Sequence, residues 1–225
     1  QRFIRRHGGQ VVTGKRVTDI LVEGGRARAV RTEDGERFEA RRAVLSSAHL
    51  VHVAEMISGC EVPDGLLAAR DAWRPRLSLF AVHLALRGQL SYPTAHGRLP
   101  AVAGGLGSLR DLLAQLAAFR SGAWNASDPW LLMVCPTVVD PGRAPGGGGT
   151  AKLLTVAPYS MDREEDRDGY AAQLIERAST AAEGMSGGDV LAVVAEGPHD
   201  IERRNRHNLG GSGHGGEMLG AHGET

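Results

Sequence analysis

The stretch Val17–Ala48, VTDILVEGGRARAVRTEDGERFEARRAVLSSA, constrains the fold more than any other part of the chain. Val17, Ile20 and Val22 predict a strand, Gly24-Gly25 a tight turn, and Ala27–Thr32 the returning strand. Asp34-Gly35 follows, and this pair tolerates the positive φ of a type I′ hairpin turn. Arg37–Ala40 and Ala43–Leu45 continue as short strands, the second opening into the small-residue loop Ser46-Ser47-Ala48. Turns this close together leave room only for antiparallel returns, so the front of the chain is committed to a β-meander.

Beyond it the pattern changes period. His49–Ile57 and Asp64–Arg70 fit short helices, the second with Asp64 as its cap. Leu77–Leu86 reads as a strand with Phe80, Val82, Leu84 and Leu86 on one face. Leu77, Leu79, Ala81, His83 and Ala85 fill the other, which predicts a central strand covered on both sides. Ser108-x-x-Asp111 has the form of a capping box, and Leu109, Leu112, Leu113 and Leu116 give the following helix its apolar stripe. Trp130–Cys135 and Ala151–Ala157 are apolar strands flanking the loop Asp140–Thr150, in which Gly146–Gly149 is expected to form a mobile tip. Tyr170, Leu174, Ile175, Ala178 and Ala182 mark an amphipathic helix, and Val190–Ala195 a last strand. Strands interleaved with helices behind a meander predict an α+β architecture.

Composition narrows the function classes. Lysine and arginine total 26, as do aspartate and glutamate, so there is no basic excess to bind nucleic acid. Cys60 and Cys135 are far apart with no metal-ligand spacing, which predicts buried free thiols in a reducing, cytoplasmic setting. No apolar run is long enough for a transmembrane helix, although peripheral contact with a membrane is compatible with the sequence. The sequence opens on Gln1 in what reads as the end of a helix and closes on GAHGET without a cap, so it reads as an internal piece of a longer chain.

Several motifs have both a chemical and a structural reading. Gly105-x-Gly107 before a capped helix has the parts of a phosphate cradle, but Arg110 fills the third glycine position and Pro100 interrupts the preceding strand. A simple lead-in loop to the helix is the expectation there. His207, His214, Glu217 and His222 could ligate a metal, yet their glycine-rich spacing gives no rigid geometry, and no metal site is expected. Gly210, Gly211, Gly213, Gly215 and Gly216 suit a backbone that closely approaches a flat ligand, with a disordered tail as the alternative. His83 reads as a satisfied core histidine rather than a base, and Trp73, Trp124 and Trp130 as packing anchors. No arrangement of nucleophile and base stands out, so no catalytic residue is assigned.

Taken together, the meander with its lead-in GGQVVTGK, the segment PTVVDPGRAP, the unit TVAPYSMDREEDRDGYAAQLIERA and the tail GPHDIERRNRHNLGGSGHGGEM resemble the phytoene desaturase-like flavoproteins. The resemblance runs over nearly the whole chain. It implies residues 1–48 as a partial FAD-binding domain of the glutathione reductase type, 49–200 as a mixed-sheet substrate domain, and 201–225 as a segment returning toward the flavin. It further implies that Val17 contacts the adenine through its backbone, that Ser46, Ser47 and Ala48 pass close to FAD, and that Asn205, Gly211, His214, Gly215 and Gly216 lie near the isoalloxazine. The G-x-G-x-x-G fingerprint expected before residue 1 and the closing glycine-rich segment expected after Thr225 belong to the missing portions of the same protein. The implied activity of that parent is hydride transfer from a hydrophobic small molecule to FAD, with this piece inactive alone. A non-catalytic binding or scaffold module with an apolar groove is the competing reading.

Overall fold

The computed structural model describes residues 1–75, 77–94, 97–99, 103–123, 128–159, 164–213, 215 and 217–218. The chain divides into two units, one built from Gln1–Trp73 and the other from Arg74–Glu217. The architecture is α+β, with one mixed sheet and one antiparallel sheet as its frames.

The first unit opens with a short helix α1 (Arg2–Arg6) and is organised by the meander: β1 (Val17–Glu23), β2 (Arg26–Thr32) and β3 (Arg37–Glu39). Helix α2 (Leu50–Met56) then leads into β4 (Ile57–Ser58), which pairs parallel to β1 and makes the sheet order β3-β2-β1-β4. Ile20, Leu21 and Ala29 supply the buried apolar side chains of this sheet. Gly24 and Gly25 both take left-handed φ (56° and 71°), as the predicted tight turn requires.

The second hairpin is built differently from expectation. Gly35 takes φ 84° but Asp34 does not enter the left-handed region, so the turn is not type I′. Gly35 N–H donates to Thr32 O and Thr32 N–H to Glu36 O, which gives a longer loop closed by one left-handed glycine. The Asp34 carboxylate is occupied locally by Thr32 Oγ1 (2.6 Å) and by Lys15, and that conformation leaves glycine only one demanding position.

Ala43–Leu45 does not form the expected strand. No described strand pairs with it, and Leu45 is 94% exposed; backbone groups without a ladder partner stay solvated. Helix α3 (Asp64–Ala72) forms, but Pro63 holds the cap position and Asp64 is its first helical residue, where its charge meets the helix dipole instead. Cys60 is exposed, contrary to the expectation of two buried thiols, whereas Cys135 is fully buried.

The second unit follows β5 (Trp73–Arg74) and is a five-stranded antiparallel sheet. Its members are β6 (Leu79–Leu86), a short hairpin β7 (Tyr92–Thr94) and β8 (Gly97–Leu99) aside, then β9 (Ala103–Leu106), β10 (Leu131–Val134), β11 (Gly149–Val156) and β12 (Val190–Glu196). The spatial order is β12-β6-β11-β10-β9, so β6 and β11 are interior, as the apolar run of β6 predicts. Helices α4 (Leu109–Arg120) and α5 (Glu164–Ser179) cover one face, and α6 (Pro198–Arg204) follows β12.

That covered face is the core. Phe80, Val82, Leu84 and Leu86 alternate inward along β6 and form one core cluster with Leu153 of the adjacent β11 and Met133 of β10 beyond it, all at most 3% exposed. Phe80 packs edge-on against Tyr170 of α5 with ring centroids 5.0 Å apart, and each such side chain contributes about 1.5–3 kcal/mol by leaving water.

Helix α4 departs from its predicted stripe. The capping box Ser108/Asp111 forms as expected, but Leu109 (71% exposed) and Leu113 (58%) face solvent. Gln115 is the buried residue instead, flanked by the half-buried Leu112, Leu116 and Phe119. Its Nε2 donates to Thr155 Oγ1 at 2.5 Å, and Thr155 Oγ1 donates on to Trp130 O at 2.6 Å. A polar centre in the helix face is tolerated because the sheet presents a hydroxyl there.

The proline-glycine loop is also more ordered than expected. Pro141–Arg143 and Pro145–Gly147 form 3₁₀ turns, and Gly149 is the first residue of β11. A Cβ on Gly149 would lie 2.1 Å from Gly88 O, so this glycine permits a close backbone approach rather than forming a mobile tip.

Candidate functional site

The face of the five-stranded sheet opposite α4 and α5 carries the candidate site. Because antiparallel partners share a face, the register places His83 opposite Lys152 on one side and Val194 on the other. The same face continues through Ala81 and Leu154 to Leu132, and through Lys152 to Val134. Leu132, Val134, Leu154 and Val156 are half-buried and Val194 is 58% exposed, so the surface is apolar and reachable.

Polar groups stand within it. His83 Nε2 lies 2.9 Å from Glu196 Oε2. An ionised carboxylate only accepts, so Nε2 carries a proton, and the neutral form of the ring that suits this contact is the Nε2–H tautomer. Arg204 Nη1 of α6 donates to the same carboxylate oxygen at 3.0 Å. Glu196 is thereby held from two sides, with a side chain only 9% exposed. The His83 pKa falls below its usual value because burial disfavours the imidazolium and the positive charges of Lys152 and Arg204 oppose it. The nearby Glu196 does not reverse this, since its charge is already compensated by Arg204. His83 was expected as a satisfied core histidine; it is satisfied, but it stands on the half-exposed face.

The glycine tail lies at one end of this face. Ser78, just before β6, bridges to Ser212, and Ser78 Oγ donates to Gly210 O. Gly213 passes so close to Leu79 that a Cβ would lie 2.6 Å from Leu79 Cδ1. Leu79 shares its face with His83, four residues or about 13 Å further along the strand. A Cβ on Gly211 would lie 2.4 Å from Pro198 Cα, and one on Gly210 would lie 2.8 Å from Pro75 Cβ. At these positions the protein itself fills the space a side chain would take. Gly215 has φ 74°, which requires glycine for the backbone alone.

The remaining sequence-derived site residues divide between the two units. Val17 is the first residue of β1, opposite Thr32 and 37% exposed. Ser46, Ser47 and Ala48 form an exposed loop in which Ser46 Oγ accepts from Ala48 N–H at 3.2 Å. Asn205 caps α6 and its Oδ1 accepts from His207 N–H at 3.1 Å, an Asx turn that starts the tail. His214 and Gly216 lie outside the described residues, as do Trp124 and His222. Among the described residues no cluster of histidine, cysteine and carboxylate has metal-binding geometry. The Gly105-x-Gly107 loop is a helix lead-in: a Cβ on Gly107 would lie 2.9 Å from Trp130 Cδ1, so the indole fills the place a phosphate would need.

Sequence reasoning passed over Lys152, Glu196 and Arg204. Their signal is faint, because register alone brings residues 83, 152 and 196 together and nothing in their local spacing shows it.

Searched for relatives, the chain matches no protein-family model and no curated protein. Solved structures do share its fold. An oxidoreductase from Methanosarcina mazei superposes over 86% of this chain and 39% of its own, with a TM-score of 0.53 and 16% identity. The fold is one that an oxidoreductase uses. The PF1083 protein from Pyrococcus furiosus (TM-score 0.50, 14% identity) covers 87% of this chain and 40% of its own length. A reduced UDP-galactopyranose mutase (TM-score 0.50, 12% identity) covers 92% and 42%. The chain therefore spans about two-fifths of each of these proteins. No described helix is long and apolar enough to cross a membrane.

Proposed function

We propose that this chain is the substrate-side portion of a flavin-dependent oxidoreductase, and that the open face of its five-stranded sheet receives a hydrophobic substrate. The observation that carries this reading is the fold shared with an oxidoreductase over 86% of the chain, beside a meander of the flavoprotein type. FAD would supply the acceptor for a hydride; the protein's part is to hold the substrate and exclude water.

The residues present fit FAD only in part. Ser46–Ala48 offers an exposed, small-residue backbone suited to lie along a cofactor. At Gly107 and at Gly211 the space beside the glycine is taken by Trp130 and by Pro198, so neither of these two turns is an open cradle. Within the proposal, Val17 and Ser46–Ala48 are edge contacts, and pyrophosphate binding belongs to residues beyond this chain.

The test is purification of the longest open reading frame that contains this sequence, alongside the chain alone. The longer product is expected to carry a flavin absorbance that a hydrophobic substrate bleaches, and the chain alone to bind FAD no more tightly than millimolar. A longer product that neither co-purifies with flavin nor takes it up on addition would overturn the proposal in favour of a non-catalytic binding module.

A further inference from the structure

Lys152 is an interior-strand residue whose ammonium has no carboxylate partner among the described residues. β11 places it between His83 on β6 and Val134 on β10, with both neighbours uncharged when His83 is neutral. Glu196, the carboxylate nearest to this group of charges in the register, is already taken by Arg204 and His83. The surroundings are apolar: Leu132, Val134, Leu154 and Val194 share the face. Lys152 is half-buried as a residue, its neighbours on the face are hydrocarbon and they offer it no counter-charge, a position that an incoming anion would complete.

We propose that this face binds an elongated apolar molecule bearing one anionic group, a carboxylate or a phosphate ester, with Lys152 as the counter-ion. The apolar part lies along Leu132, Leu154 and Val156. Charge complementarity selects the occupant: the Glu196–Arg204 pair is internally neutral, so Lys152 gives the patch a net positive charge. Arg204 is already committed to Glu196 toward the β12 edge, so the uncommitted cation that a headgroup meets on this face is Lys152. The proposal specifies the substrate class of the face discussed above and rests on that reading for its role in turnover, but the binding itself requires no flavin.

The experiment measures binding of dodecanoate, dodecyl phosphate, dodecanol and acetate to the whole 225-residue chain without FAD. At least one of the two anionic amphiphiles is expected to bind about tenfold more tightly than dodecanol, the scale of one charge-assisted contact, and acetate to bind only weakly. Which headgroup is preferred separates a carboxylate ligand from a phosphate ester. Lys152→Met should reduce the preference to within about twofold and Lys152→Arg should retain it; Lys152→Gln replaces the methionine variant if that one does not fold. Equal affinity for charged and neutral chains, a preference that survives loss of the lysine, or binding to none of the probes would overturn the proposal. Since no flavin is present, these outcomes are separate from failure of the oxidoreductase reading.

Discussion

His83 on β6 is bonded through Nε2 to Glu196 Oε2 on β12 at 2.9 Å, although 113 residues separate them in the chain. The bond joins an interior strand to the edge strand of the same sheet, and Arg204 extends it to α6. It puts a proton on Nε2 of the imidazole. The electrostatics of the sheet's open face therefore follow from sheet register.

The His83 titration tests this arrangement. Its folded pKa lies below the ordinary 6.5, so the unfolded chain binds the proton more readily. The stability that neutral His83 contributes is complete above pH 6.5 and is lost as pH falls through 6.5 toward the folded value. NMR of the ring protons should show a depressed midpoint, and Lys152→Met should move it upward by removing a like charge. A wild-type midpoint at or above 6.5 would contradict the arrangement.

Gln115 makes a different prediction. Its Oε1 is buried without a hydrogen-bond partner among the described residues, while Thr155 keeps its bond to Trp130 O whether or not the amide is present. Gln115→Leu is thus expected to change stability by less than about 1 kcal/mol, because it removes an unsatisfied atom together with a hydrogen bond. Gln115→Ala leaves a cavity and should cost about 2 kcal/mol or more. Chemical denaturation of both variants decides this, and a leucine variant as unstable as the alanine one would count against it.

Gly149 and Gly211 are predicted to be intolerant of alanine for steric reasons. A methyl would meet Gly88 O at 2.1 Å in one case and Pro198 Cα at 2.4 Å in the other, and both obstacles are backbone. Each substitution should destabilise the chain by about 2 kcal/mol or more, with Gly188→Ala, whose Cβ meets open space, as the neutral control. Thermal melts that place all three together would refute the packing account of the glycines.

In the first unit, the Asp34 carboxyl is lowered to about 2 by its hydrogen bonds from Lys15 and Thr32. What it contributes to the meander is present above its ordinary 3.8 and disappears as pH falls through about 2. Carboxyl NMR should find that midpoint, and Lys15→Met should raise it. The change in overall stability should be small, since the pair is solvent-screened.

How much of this was legible in the sequence depends on the range of the interaction. The turn at Gly24-Gly25, the capping box at Ser108 and the interior position of Leu79–Leu86 in its sheet are set by residues a few positions apart and formed as read, but the face of that strand carrying His83 is open and not covered as expected. Helix α4 departs from its expected stripe because four leucines outweigh one glutamine in a periodicity, whereas the buried residue is whichever one meets the sheet, and the sheet offers Thr155. Ala43–Leu45 has the composition of a strand but no partner beside it. Of the sequence-derived site residues, Asn205 and Gly211 have structural duties of their own, in an Asx turn and a close contact with Pro198.

The sequence by itself determined the β-meander, the α+β class and the alternation that buries Phe80, Val82, Leu84 and Leu86, because local turn chemistry and side-chain period act within a few residues. The tertiary structure alone decided that His83, Lys152, Glu196 and Arg204 share one face. Strand register is a pairing between distant segments, and a shift of one residue in its strand would turn His83, Lys152 or Glu196 to the opposite side of the sheet, away from Arg204 of α6.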